Sequence, residues 1–235
     1  RPPRSTLFPY TTLFRSRTLT TNKGEGQKII TPIRIGTIEN DAKNPDHDSR
    51  QYRVYSPDGE SVTLCGNGDG LGAKTGLYAT PVTAADGKQM PVYEVRGGQI
   101  TIKGKTYPIK LADGFYIIRK LTVTECKRLQ TVPEEYVFPV SDSQAYKMLG
   151  NGWTVDVIAH IMSHFEGLTT EPVEVLSMYD GMSCGHIALD KLGATVTTYY
   201  ATEIDKYAIQ TTQHNFPETI QLGDAFQVRE EDWTI

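Results

Sequence analysis

The chain has 235 residues, 38% apolar and 22% charged, enough for one large domain or two small ones of ordinary globular composition. Its longest apolar stretch, Val155 to Met162, is broken by Asp156 and His160 and cannot span a bilayer; no secretory signal is visible, and the three scattered cysteines (Cys65, Cys126, Cys184) argue against a disulfide framework or a zinc site, so a reducing cytoplasm is the default. Net charge is −4, with three bases against eleven acids in residues 169–235 and a front part that is about neutral once Arg1, Arg4 and Arg15 are set aside, so charge alone does not suggest nucleic acid.

Residues 1–16 begin without Met, and Thr6 to Ser16 (TLFPYTTLFRS) resemble a one-frame translation of a sequencing-library adapter; they are excluded from fold reasoning. Residues 17–50 are polar and turn-rich. From Tyr52 to Ile118, short β-type runs (YRVYSPDG, SVTL, PVYEVRGGQITIKGKTYPIKL, GFYIIRK) alternate with turn residues, predicting a small antiparallel β domain. Gly66 to Gly72 is too glycine-rich for a strand and reads as a loop whose backbone approaches something closely. At Thr122 the period changes: Thr122 and Glu125 form a capping box opening a helix through Leu129. A second helix begins near Thr154 with an apolar stripe at Ile158, Ile161, Met162 and Phe165.

After a linker at 166–172 the pattern becomes α/β. Val173 to Tyr179 reads as a buried strand, DGMSCG as a glycine turn, and His186 to Leu192 as a helix. Thr195 to Glu203 is a second strand, Asp205 caps a helix to about Asn215, and Thr219 to Asp224 is a third strand. Strand, helix, strand, helix, strand at this spacing predicts a parallel sheet. Gly181 and Gly185 let backbone approach a ligand at a helix N-terminus, which suits a carboxylate or phosphate. Glu203 ends the second strand, where it can accept both ribose hydroxyls, and Asp224 ends the third, where it can accept from an adenine amino group. The GxxxG spacing fits NAD poorly, since its fingerprint is GxGxxG. The turn with both acids points to S-adenosylmethionine.

Here a resemblance becomes specific. LSMYDGMSCG, YYATEIDKYAI and TIQLGD resemble motifs I, II and III of the DNA (cytosine-5-)-methyltransferase family, RKLTVTECKRLQTVPEEY resembles motif IX, and SDSQAYKMLGNGWTVDVIAHI resembles motif X. YRVYSPDGESVTLCGNGDGLGAKTGLY is similar to the end of the family's target-recognition domain. The resemblance implies methyl transfer from S-adenosylmethionine to C5 of cytosine in double-stranded DNA, by a monomeric enzyme of the prokaryotic or phage-encoded type. It implies a class I S-adenosylmethionine-dependent methyltransferase α/β fold with an incomplete Rossmann-like parallel sheet and a small β-rich recognition domain. The expected divisions are 17–118 (recognition), 119–165 (motifs IX and X) and 173–235 (motifs I to III). The implied cofactor contacts are Tyr179, Gly181, Met182, Ser183, Cys184, Glu203, Ile204, Asp224, Ala225, Asn151, Gly152 and Trp153. The implied DNA contacts are Arg53, Thr63, Gly66, Gly68 and Gly70.

There are departures. In the family a Pro-Cys thiolate attacks C6 of a flipped cytosine, and a Glu-Asn-Val glutamate supports it; here none of the 13 prolines precedes Cys, and Glu39-Asn40 is followed by Asp41. Motifs IX and X precede motif I, the order of circularly permuted members, or of two fused neighbouring genes. The chain is therefore expected to be a fragment, inactive alone, with the catalytic loop beyond Ile235. Alternatives are a non-catalytic DNA-binding or regulatory module and a methyltransferase acting on RNA. Cys184 reads as lining the pocket rather than as the nucleophile, Cys126 as helix packing and Cys65 as an inert thiol. His160 and His164, four apart without a third ligand, read as a solvated helix face, so no metal is expected. Trp153 either stacks on a cofactor or fills the core. Lys103, Lys105 and Lys110 read as a solvated strand face.

Overall fold

The computed structural model describes residues 31–38, 49–66, 75–82 and 90–229. The leader, most of 17–50, and Gly68 and Gly70 lie outside the described residues. The chain forms two compact units: residues 31–63 with 75–121, and residues 64–66 with 122–229.

The first unit is a seven-stranded sheet: β1 (Arg34–Thr37), β2 (Arg53–Tyr55), β3 (Leu77–Pro81), β4 (Val92–Arg96), β5 (Gln99–Ile102), β6 (Lys105–Pro108) and β7 (Gly114–Arg119), in the order β1-β2-β3-β7-β4-β5-β6. Gly97 and Gly98 both have positive φ, as a two-residue β4–β5 hairpin requires. The sheet curls into a barrel-like form whose two ends meet just past β6, where Ile109 bridges Gly36 and the Lys110 N–H donates to the Ile35 carbonyl at 2.7 Å. Alternate side chains fill its interior, among them Ile35, Val54, Val95, Ile100 and Ile109.

This barrel departs from the expected small antiparallel domain in three ways. β2 and β3 pair in parallel, Val54 against Leu77 and Tyr55 against Tyr78. β1 comes from the segment read as polar and turn-rich; its Ile35 and the neighbouring Ile38 supply core side chains that the surrounding polar residues mask. SVTL forms no strand: the Val62 N–H donates to the Tyr78 hydroxyl at 3.2 Å, and Leu64 is buried in the other unit.

The second unit opens with α1 (Val123–Leu129), α2 (Asp142–Asn151) and α3 (Val155–Met162). The capping box is present, with Thr122 Oγ1 accepting from Glu125 N at 3.2 Å and Glu125 Oε2 accepting from Thr122 N at 2.8 Å. Then follow β8 (Val173–Met178), α4 (Cys184–Leu192), β9 (Val196–Thr202), α5 (Lys206–Asn215) and β10 (Ile220–Gly223), and the sheet is parallel in the order β10-β9-β8. Asp205 caps α5, its Oδ1 accepting from Tyr207 N at 2.9 Å.

Two expectations about burial are corrected. β8 is half-buried rather than buried, since among the described residues only β9 pairs with it. In α3 the buried positions are Val155 and Ala159; Ile158 and Met162 are intermediate, and Ile161 and Phe165 are exposed, Phe165 lying past the helix end. The buried positions are thus held by a β-branched and a small residue, while Met162 packs at the margin of the Leu189–Tyr199–Ala201 cluster.

The helical segment is stitched to the sheet layer through polar side chains. Tyr136 Oη donates to the Met182 carbonyl at 2.8 Å, Asn215 exchanges two 2.8 Å bonds with the Val137 backbone, and Lys191 Nζ reaches the Thr131 carbonyl at 2.7 Å and Asp156 at 2.6 Å. Motif-IX-like and motif-I-like segments thus share one unit, where the sequence divided them at 166–172.

Candidate functional site

The site is assembled at the carboxyl ends of β8 and β9, where parallel sheets bind ligands. The first component is the turn after β8. Tyr179, Gly181 and Ser183 have φ of 59°, 60° and 58°, so the backbone coils tightly before α4 begins. At Gly181 a Cβ would meet nothing within 4 Å, leaving open space over the turn, while two non-glycine residues in the left-handed region carry strain that must be held from outside. The holding groups are polar and mostly buried. Tyr179 N donates to Thr202 Oγ1 at 2.9 Å, Tyr199 Oη to Asp180 Oδ1 at 2.9 Å, and Ser183 Oγ to Asp180 Oδ2, while Ser183 Oγ also meets Thr212 Oγ1 at 2.9 Å. Burial, with the Asp180 charge adding to it, pushes the Tyr199 phenol above its ordinary range, so it stays a donor.

Glu203, just past β9, is the second component. Its Oε2 accepts from Gly181 N at 2.8 Å; its Oε1 accepts from Ile204 N at 2.7 Å and Asp205 N at 2.8 Å. The carboxylate is therefore fixed beside the turn, and a carboxylate's roughly four acceptor positions leave one for a further donor.

The third component is the end of α2. Gln130, the C-cap of α1, donates to the Leu149 carbonyl at 2.7 Å and the Gly152 carbonyl at 3.2 Å, and accepts from Thr154 Oγ1 at 2.8 Å. It fixes the turn carrying Asn151, Gly152 and Trp153. Residues 65–66 back this turn: a Cβ on Gly150 would lie 2.3 Å from Cys65 C and Gly66 N, and one on Gly66 would lie 1.7 Å from Asn151 Oδ1.

These components enclose a cavity of about 310 Å³, lined by Asn151, Gly152, Trp153, Tyr179, Gly181, Met182, Cys184 and Glu203 among others. Sequence reasoning missed Lys147, Met148, Asp180, Asp205 and Ala208 in its wall. Lys147 Nζ lies 2.6 Å from Asp205 Oδ2 and holds the Asp205 carboxyl below the usual carboxylate range. An exposed Lys on a helix carried no signal of this pairing. A second cavity, about 590 Å³, is lined by residues 133 and 135–137 with Ile187, Asp190 and Lys191 of α4 and the end of α5.

Four implied cofactor residues fall outside the cavity wall. Ser183 is wholly buried beneath the turn, where its hydroxyl serves Asp180 and Thr212. Ile204 is 77% exposed. Asp224 turns back on its own loop, Oδ1 accepting from Phe226 N at 3.0 Å and Oδ2 from Gln227 Nε2 at 3.3 Å, and Ala225 follows it in the same turn. Trp153 lines the cavity and is 55% exposed, so it does not fill the core.

Among the implied DNA contacts, Arg53 is half-buried in β2 and Thr63 is exposed. Gly66 is buried against Asn151, where an added Cβ would lie 1.7 Å from Oδ1. The described barrel residues carry nine Lys and Arg against four Asp and Glu, a net +5, whereas those of the second unit carry six against fourteen, a net −8. A division of the chain at 168 hid this contrast by pooling the acidic segment 122–168 with the barrel. Lys105 and Lys110 are exposed.

Cys126 and Cys184 are buried, and burial raises their thiols to about 12 and about 11 respectively. Cys65 is half-buried. His160 and His164 are exposed, and no group of three metal-ligating side chains occurs among the described residues. Among the same residues no helix is long and apolar enough to cross a membrane.

Residues 33–166, more than half of the chain, match the family described as C-5 cytosine-specific DNA methylase. The chain is 31% identical to type II methyltransferase M.HhaI of Haemophilus parahaemolyticus over 109 residues, 46% of the chain and 23% of that relative. It is 54% identical to type II methyltransferase M.HpaII of Haemophilus parainfluenzae over 41 residues, 17% of the chain and 12% of the relative. It is 27% identical to DNA (cytosine-5)-methyltransferase DRM1 of Arabidopsis thaliana over 143 residues, 60% of the chain and 21% of the relative. In each case the match spans less than a quarter of the relative's own length.

Proposed function

The chain belongs to the C-5 cytosine-specific DNA methylase family, and from that premise we propose that it serves S-adenosylmethionine-dependent transfer of a methyl group to C5 of cytosine in double-stranded DNA. The cavity is the cofactor site, the β8–β9–β10 layer is part of a class I methyltransferase α/β fold, and the basic barrel is the target-recognition domain. One observation carries the reading: Glu203 stands at the end of β9 with its carboxylate bonded to Gly181 N of the glycine turn, in a wall shared with Asn151–Trp153. The groups present fit the ligand. Glu203 retains acceptor capacity for a ribose hydroxyl, and the N-terminal end of α4 favours a carboxylate. Met148, Met182, Cys184 and Trp153 form an apolar wall that keeps water from the reacting end.

When bound, the cofactor supplies an electrophilic methyl group on sulfur. The chain's own part is to orient it and shield it. Nucleophilic activation of cytosine needs a thiolate, and Cys126 and Cys184 stay protonated at neutral pH by burial. We therefore assign them to packing and to the cavity wall. Arg53 and Thr63 of the barrel are assigned to the DNA side.

Calorimetric titration with S-adenosylhomocysteine tests the reading. The chain should bind it, and Glu203→Ala should remove the binding. Tight binding of NAD in its place would reject the cofactor assignment.

A further inference from the structure

The cavity contains too little of the ligand. At about 310 Å³ it stands at the lower end for small-molecule sites, roughly 300–1,000 Å³. Its wall includes Glu203 and the residues of the methionine side, but Ile204, Asp224 and Ala225, expected around the adenine, are absent from it. The base must therefore rest on the open shelf beyond Tyr179.

On that shelf three large apolar side chains stand in solvent, one after each successive parallel strand. Tyr179 follows β8 and is 65% exposed, Ile204 follows β9 and is 77% exposed, and Phe226 follows β10 and is 86% exposed, more than any other large apolar side chain among the described residues. They are not scattered. The Tyr179 and Phe226 ring centroids lie 6.3 Å apart at 67°. Phe226 is also placed deliberately: Asp224 Oδ1 accepts its backbone N–H at 3.0 Å and the Gln227 N–H closes the turn onto the Asp224 carbonyl at 2.9 Å. Each carboxylate oxygen of Asp224 accepts one bond within its own turn, from Phe226 N and from Gln227 Nε2, and both keep a further acceptor position. Ala225, next along, offers one methyl group.

Resting on the cofactor reading above, we propose that Phe226 is an adenine-binding residue, closing with Tyr179 and Ile204 on the faces of the base, while Asp224 acts as a positioning residue that aims the Phe226 ring. A planar purine between apolar and aromatic side chains accounts for the exposure of all three and for their continuity with Glu203, the ribose acceptor. Stacking reads the π-face of a base and tolerates its identity, so the Phe226 contact adds to any hydrogen bond made at the edge of the base.

The test is titration of the whole chain with S-adenosylhomocysteine, comparing Phe226→Ala, Phe226→Tyr and Asp224→Asn. Phe226→Ala should weaken binding about tenfold, the order of one lost base–aromatic stack, and Phe226→Tyr should restore it. Because the side chain is exposed, the melting temperature should not move, which separates binding from folding. Asp224→Asn keeps the Oδ1 acceptor of the turn and should leave affinity near that of the parent. Phe226→Ala binding as tightly as the parent overturns this inference alone, and so does Phe226→Tyr behaving like Phe226→Ala. Absence of binding by the parent chain overturns the cofactor reading and this inference with it.

Discussion

Gly150 sits in the last turn of α2, where helix propensity favours Ala over Gly by up to about 1 kcal/mol. Propensity alone therefore predicts that Gly150→Ala stabilises the chain. Packing predicts the opposite. The added Cβ would lie 2.3 Å from Cys65 C, 2.3 Å from Gly66 N and 2.6 Å from Cys65 O, and all three are backbone atoms that no rotamer change can withdraw. Overpacking of this kind costs about 1–3 kcal/mol, so the net effect should be a loss of about 1–2 kcal/mol. For a chain of this size each kcal/mol corresponds to roughly 2–4 °C, so the melting midpoint should fall by roughly 2–8 °C. Cofactor affinity should fall as well, because residues 65–66 back the Asn151–Trp153 turn in the cavity wall. Thermal denaturation by circular dichroism, with S-adenosylhomocysteine titration in parallel, measures both. Gly66→Ala, whose Cβ would displace Asn151 Oδ1, perturbs the same contact from the other side. The double variant should cost less than the sum of the two singles, since the contact can be broken only once. A midpoint that stays or rises in Gly150→Ala would refute the reasoning, and strict additivity would show that the two glycines do not share a contact.

Gln130→Ala should lower affinity for S-adenosylhomocysteine several-fold by releasing the Leu149 and Gly152 carbonyls, whereas Gln130→Glu should be no better, because it lacks the donor; the titration above reads both. Lys147→Met should raise the Asp205 carboxyl toward its ordinary value, followed by NMR titration, while moving stability by about 1 kcal/mol or less, as expected for a partly exposed pair. His186, stacked between Tyr199 and Phe216 at 4.3 and 3.9 Å, titrates below its ordinary value because burial disfavours its charge, against the opposing pull of Asp190, Glu218 and Asp180. Its folded-state value is depressed, so its contribution is constant above the unfolded-state value of about 6.5 and is lost as pH falls below it; midpoints measured against pH should show that acid limb, flattened in His186→Phe. DNA carrying 5-fluorocytosine should form no covalent adduct with Cys126 or Cys184, and mass spectrometry of such an adduct on either thiol would overturn their assignment.

What could be read from the sequence divides along a physical line. Elements whose stability is local were legible. The Thr122–Glu125 box, the Asp205 cap and the alternation of parallel strands and helices from Val173 to Gly223 each announce themselves within a few residues. The glycine turn and Glu203 were legible for the same reason, since positive φ and an acid at a strand end are properties of short segments. What failed depended on partners distant in sequence. β1 lies in a polar segment, and its pairing with β2 and the bridge from Gly36 to Ile109 make it part of a core. The parallel β2–β3 pair cannot be told from a hairpin by alternation, because period two is common to both. For Gly66 the sequence shows a close backbone approach but not its partner, which in the fold includes Asn151.

The Asp224 case goes furthest. An acid at the end of a third strand is compatible with binding a base, and equally with capping the turn that follows it, and short-range competition favours the turn because Asp bonds readily to its own backbone two residues on. Phe226 N is that partner, at 3.0 Å. Once the carboxylate is engaged, the residue it fixes becomes the candidate for the base, and a side chain that composition treats as one more exposed aromatic acquires a reason to be exposed.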